Sequence, residues 1–225
     1  MGVNRIDTVV TDYGGVLTNP LAETLERFAR TVGHTADALV RAVAAATERH
    51  GTAPMALLEV GAITEAEMVA RVAAELPGGG LALPEDQTFG ETWFAGRVGN
   101  EGFVEFLRGL GMDGYRLALL TNNVVEWEEL WRATLPADDL FDVVVNSAHE
   151  GVRKPAPEIY RLVLERLGTT PERCVFVDDL EANLAAAAEI GMATVHFQHN
   201  EQAAAEVTAL LDGAGQSFAD TGRTR

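Results

Sequence analysis

Five short runs of β-branched and apolar residues lie unevenly along the chain, and their spacing restricts the fold more than any other feature. Ile6 to Asp12 is the first, and Tyr115 to Thr121, Phe141 to Asn146, Cys174 to Asp178 and Ala193 to Phe197 follow only after a long gap. Each has the length of a buried strand, and helical patterns separate the later ones, as in Leu162, Leu164 and Leu167 or Leu184 with Ala185 to Ala188. Strand alternating with helix predicts an α/β fold built on a doubly wound, mostly parallel sheet.

The long gap is helical. Leu21 to Val32, Ala36 to Ala46 and Glu65 to Leu76 carry helix periodicity, and Thr64 with Glu67 forms a capping box before the last of these. A block of this size exceeds a simple crossover, so an inserted α-helical cap is expected over 18–97, beside the mouth of the sheet. The α/β core is expected over 1–17 and 98–212. Pro77-Gly78-Gly79-Gly80 reads as a connection within the cap. A last helix is expected over Glu201 to Leu211, then a loose tail over 213–225.

Composition narrows the function classes. No apolar stretch approaches a membrane span and the amino terminus has no signal pattern, so a cytoplasmic protein without membrane contact is expected. A formal charge of −17 repels nucleic acid, which is excluded as a partner. Any phosphate this chain handles needs local positive charge. Cys174 is the single cysteine and opens an apolar run, which suits a buried packing role rather than a nucleophile. Lys154 is the only lysine, every other basic position being arginine. A lysine is a compact point charge where arginine is a wide planar fork, so the exception suits a crowded cluster of oxyanions.

In an open parallel sheet, ligands bind beyond the carboxyl ends of the strands. Residues just past those ends are Asp12, Thr121-Asn122, Lys154 in the loop after the third strand, and Asp178-Asp179. Taken singly they stay ambiguous. An aspartate ending a strand is turn chemistry or a nucleophile, glycines such as Gly14 and Gly15 shape a turn or admit a phosphate, and Thr-Asn after a strand is a helix cap or a donor pair.

Together, in this order, the four segments resemble the motifs of the haloacid dehalogenase superfamily in its helical-cap branch. Leu-Leu-Thr-Asn-Asn, Val-Arg-Lys-Pro-Ala-Pro-Glu-Ile-Tyr and Val-Phe-Val-Asp-Asp-Leu-Glu-Ala-Asn-Leu are similar to the amino-terminal phosphatase domain of soluble epoxide hydrolase. The resemblance implies a Rossmann-like core and a magnesium-dependent phosphatase acting on a small phosphorylated molecule. It makes Asp12 the nucleophile, with Thr121 and Lys154 catalytic. Gly14, Gly15, Thr121, Asn122 and Lys154 would bind phosphate. Asp12, the Gly14 carbonyl, Asp178 and Asp179 would hold Mg2+, and Asn183 would orient that shell.

One position departs from the pattern. Most phosphatases of the superfamily carry a second aspartate, the general acid and base, where this chain has Gly14. Thr18, Asn19, Asn123 and His50 are candidate substitutes. Two alternatives remain: a phosphate-binding protein without turnover, and a haloacid dehalogenase, which the paired Asp178-Asp179 disfavours. Oligomeric state is left open, a homodimer included. Trp127 and Trp131 stand one helical turn apart and read as a packed face, with a crevice wall as the alternative for Trp127.

Overall fold

The computed structural model describes residues 5–213. Its sheet has five parallel strands in the order β3-β2-β1-β4-β5, where β1 is Thr8–Thr11, β2 Arg116–Thr121, β3 Val143–Asn146, β4 Cys174–Asp178 and β5 Ala193–His196. Between β1 and β2 lie α1 (Leu21–Thr31), α2 (Ala36–His50), α3 (Pro54–Leu58), α4 (Glu65–Ala73), α5 (Phe89–Phe94) and α6 (Glu101–Met112). The later connections hold α7 (Glu128–Arg132), α8 (Ala137–Leu140), α9 (Ser147–Glu150), α10 (Pro157–Leu167) and α11 (Glu181–Glu189), and α12 (Asn200–Leu211) follows β5.

A parallel sheet needs cover on both faces, and successive side chains of a strand point to opposite ones. Val9, in register with Leu117 and Val175, faces α6 and α12 through Phe103, Leu107 and Val207. Val10, in register with Ala118 and Phe176, faces α10 and α11 through Ile159, Val163 and Leu184. Cys174 is buried in this second layer.

Helices α1 to α5 hold an apolar cluster of their own around Phe28, Leu39, Met68, Val72 and Phe89, and Val124 and Trp127 from just past β2 pack into it. Each such buried side chain contributes roughly 1.5–3 kcal/mol, so packing rather than helix propensity holds the block together. The chain enters and leaves it by two segments running side by side. Asn19 N donates to Val98 O at 3.0 Å, Asn100 N donates to Leu17 O at 2.8 Å, and Thr18 bridges Gly99 in antiparallel sense.

The expected capping box is present: Glu67 N donates to Thr64 Oγ1 at 3.2 Å and Thr64 N to Glu67 Oε2 at 2.8 Å. Thr88 and Glu91 form a second box that opens α5. Periodicity did not reveal α5, since its 6 residues make fewer than two turns. Helix α2 runs on to His50 and stops at Gly51, whose φ is 75°, whereas α4 ends at Ala73, short of Leu76. The tail expected over 213–225 lies, Gly213 apart, outside the described residues. No helix among the described residues is long and apolar enough to cross a membrane.

Candidate active site

The sheet order sets β1 between β2 and β4, so the residues after these three strands share one crevice. Asp12 continues β1, its N–H donating to Val177 O at 2.9 Å. Thr121 closes β2 and Asp178 closes β4. Lys154, only 1% exposed, reaches in from the loop before α10. Its Nζ lies 2.6 Å from Asp12 Oδ1 and 2.7 Å from Asp178 Oδ2. One ammonium therefore bridges two carboxylates from adjacent strands, which is the compact-cation role that the single lysine suggested.

Neighbouring groups fix this arrangement. Asn122 and Lys154 exchange two hydrogen bonds, Lys154 N donating to Asn122 Oδ1 at 2.9 Å and Asn122 Nδ2 to Lys154 O at 3.1 Å. Asn183 Nδ2 donates to both oxygens of Asp178 at 3.0 Å, and Leu180 N donates to Asp178 Oδ1 at 2.8 Å. Asp178 is thus engaged on both oxygens, with Asn183 reaching it from the first turn of α11.

Asp179 differs from its neighbour. Its Oδ1 is buried without a hydrogen-bond partner among the described residues, and so is Thr121 Oγ1. Gly15, at φ 83°, lies so close that a Cβ there would stand 2.4 Å from Asp179 Oδ2. Oxygens of Asp12, Asp178 and Asp179 come within 4.8 Å of one another. Burial pushes the Asp12 carboxyl up to about 7; Lys154 pulls it down, while Asp178 and Asp179 add to the rise. Burial also raises Asp179, reinforced by Asp178. Burial works against the charge of Lys154, but Asp12 and Asp178 outweigh it and hold the ammonium above its ordinary range. Such a cluster of hard oxygens with one orphaned atom fits a divalent cation of the magnesium type better than a soft metal.

Above the cluster is a cavity of about 350 Å³. Asp12, Lys154 and Asp179 line one side of it, and Leu21, Leu25, Met55, Trp93, Phe94 and Trp127 supply most of the remaining wall. Trp127 and Trp131 accordingly part company. Trp131 lies in the core beneath the sheet, while Trp127 walls the cavity and donates its indole N–H to Glu65 at 2.5 Å. Three charged residues that the sequence did not single out also line the cavity: Glu59, Arg97 and Arg153. Arg97 sits against Gly14, its Nη2 3.1 Å from where a Cβ would be, and Nη1 donates to Asn19 O and Thr24 Oγ1 at 3.3 Å each.

Of the candidate substitutes for the missing acid, Asn123 lines the cavity, but Thr18 accepts from Gly15 N at 3.2 Å and lies outside the lining. Asn19 holds the paired connections, and His50 is exposed at the end of α2. His196, set aside on its sequence, bonds Asp179 O at 3.0 Å.

Residues 6–191 match the family model for haloacid dehalogenase-like hydrolases. The chain belongs to that family. As a haloacid dehalogenase-like hydrolase it is 32% identical over 136 residues to the sesquiterpene phosphatase astK of Aspergillus oryzae, covering 60% of this chain and 67% of that one. It is 29% identical over 135 residues to bifunctional epoxide hydrolase 2 of Rattus norvegicus, covering 57% of this chain. The match spans only 24% of that longer protein. Among solved structures, a haloacid dehalogenase family enzyme of Bacteroides thetaiotaomicron, in complex with magnesium and inorganic phosphate, superposes with a TM-score of 0.64 at 24% identity. It covers 86% of this chain and 94% of its own, and shares the fold. The resemblance read from the four motifs is thereby established, and phosphatases are among the relatives.

Proposed function

We propose that this hydrolase is a magnesium-dependent phosphomonoesterase that works through an aspartyl phosphate on Asp12 and accepts small or amphiphilic phosphate esters. The observation that carries this reading is the buried bridge of Lys154 between Asp12 and Asp178, with Asp179 Oδ1 and Thr121 Oγ1 left unpartnered beside it. A relative that is a phosphatase and a structural neighbour that holds magnesium and phosphate support it.

Asp12, Asp179 and the Gly14 carbonyl would hold the ion, with Asp178 joining directly or through water. When bound, it supplies positive charge and polarises phosphoryl oxygens. That charge is needed, because two unit charges about 4 Å apart repel by roughly 4 kcal/mol at an effective dielectric near 20, and three carboxylates here meet a phosphate dianion. Asp12 attacks phosphorus, which divides one hard displacement into two easier ones. Lys154 neutralises nucleophile and phosphate together, and Asp178, gripped by Asn183 and Leu180 N, holds Lys154 in place. The Thr121 hydroxyl and the backbone amides of Asn122 and Gly14 receive phosphoryl oxygens as their charge redistributes, whereas the Gly15 amide, expected to join them, already donates to Thr18 Oγ1.

Residues 18–97 act as the cap. Their apolar wall of Leu21, Leu25, Met55 and Trp93, continued by Trp127, suits a hydrocarbon or aromatic alcohol better than a sugar, whose hydroxyls would lose hydrogen bonds there. Dehalogenation fares worse, since a haloacid carboxylate would meet the same three acids without a phosphate's need for a metal.

The test uses 4-nitrophenyl phosphate with magnesium, whose leaving group needs little protonation. Turnover by the wild type, abolished by Asp12→Asn and by excess chelator, supports the reading. Activity that survives chelation removes the metal role, and no turnover of any ester leaves a phosphate-binding protein on this fold.

A further inference from the structure

Gly14 leaves the nucleophile's own turn without an acid, and the cavity contains another. Among the described residues, Glu59 is the only carboxyl lining it apart from Asp12 and Asp179. Glu59 follows α3 and is anchored from both sides. Its N–H donates to Met55 O at 2.9 Å, and its carbonyl accepts from the Oγ of Ser147, the first residue of α9, at 2.5 Å. The side chain is 16% exposed, and its buried Oε2 forms an ion pair with Arg153 Nε at 2.6 Å. That ion pair takes up the buried oxygen, so a partner in the cavity must come to the other oxygen of the carboxylate.

Direction decides what the partner is. In an in-line displacement the leaving oxygen departs on the side of phosphorus opposite the nucleophile. Asp12 comes from the sheet and Glu59 from the inserted helices, so the leaving oxygen is directed toward the wall that carries Glu59. We propose that Glu59 is the general acid and base of this enzyme, a role that rests on the phosphohydrolase reading above. Asp12 bonds to phosphorus, the P–O bond to the alcohol breaks, and its electron pair takes the Glu59 proton. The Glu59 carboxylate then removes a proton from water as the water oxygen attacks phosphorus. The bond to Asp12 breaks, its carboxylate is restored and inorganic phosphate leaves.

The electrostatics suit both halves. Burial raises the Glu59 carboxyl, which favours the proton it must donate, while Arg153 and, more remotely, Lys154 pull it down and stabilise the carboxylate. Asp12, Asp179, Arg97, Arg153 and Lys154 are the other charged side chains that line the cavity with it.

Glu59→Gln tests this with magnesium present. An alkyl phosphate should lose about 100-fold in kcat, the usual scale for a general acid. With 4-nitrophenyl phosphate the variant should release a burst of nitrophenolate, one per protein, and then turn over slowly because water is no longer activated. Equal kcat to the wild type on both esters, or loss of the burst along with turnover in a folded variant, overturns the proposal. Arg153→Met gives a second reading that leaves Glu59 in place. Removing the cation should shift the pH limb assigned to Glu59 to higher pH, and an unmoved limb overturns the assignment. If the wild type hydrolyses neither ester, the phosphohydrolase reading falls first and this role with it.

Discussion

Lys154 illustrates how far single residues speak for themselves. Its uniqueness among the basic residues pointed to a confined anionic site, and it lies buried between two carboxylates. Glu59, Arg97 and Arg153 gave no such sign, because what makes each one relevant is a neighbour supplied by tertiary packing. Gly15 was legible as a turn, yet its closeness to Asp179 was not, since 164 positions separate them in the chain. Gly15→Ala would introduce a Cβ 2.4 Å from Asp179 Oδ2 at a φ of 83° that side chains rarely adopt. Strain of this kind costs about 1–3 kcal/mol, and the Asp179 carboxylate must also move. The variant should fold with reduced stability and bind magnesium at least about tenfold more weakly by calorimetry, as a displaced ligand would. Unchanged affinity would remove Asp179 from the metal site.

Among the elements, strands and long helices followed their periodicity closely, whereas short helices did not announce themselves. The Thr64 box was readable because cap and partner are three residues apart; the wider use of that helix start was not. Glu65, the first residue of α4, accepts from Phe89 N at 3.1 Å and Gly90 N at 2.9 Å, at the start of α5, and from the Trp127 indole. One carboxylate thus joins two helices of the insertion to a tryptophan of the cavity wall. Replacing it with alanine strands buried donors, at about 1–3 kcal/mol each where water cannot reach them. Glu65→Ala should therefore lower the denaturation midpoint in urea. Because Trp127 walls the cavity without touching the reacting groups, KM for an aryl ester should rise while kcat changes little. A fall in kcat with KM unchanged would contradict that placement.

At the scale of the molecule, the decisive inference was that ligands bind beyond the carboxyl ends of parallel strands; the strand order, which the sequence left open, sets β1 between β2 and β4, so four separate chain segments converge. The same convergence makes the acid cluster a strain on the metal-free fold, because Asp12 comes from β1 and Asp178 and Asp179 from the end of β4. A cation that binds only the folded chain adds about 2.7 kcal/mol of stability at one hundred times its Kd. For a chain of this length each kcal/mol moves Tm by roughly 2–4 °C, so saturating magnesium should raise Tm by about 5–10 °C. Asp179→Asn removes one of the like charges and a ligand together. Its metal-free Tm should equal or exceed that of the metal-free wild type, and magnesium should no longer shift it. Differential scanning calorimetry with and without magnesium reads both effects independently of turnover. A wild type indifferent to magnesium would mean that Lys154 alone balances the three carboxylates, and a variant less stable than the metal-free wild type would mean that Asp179 serves the fold rather than the ion.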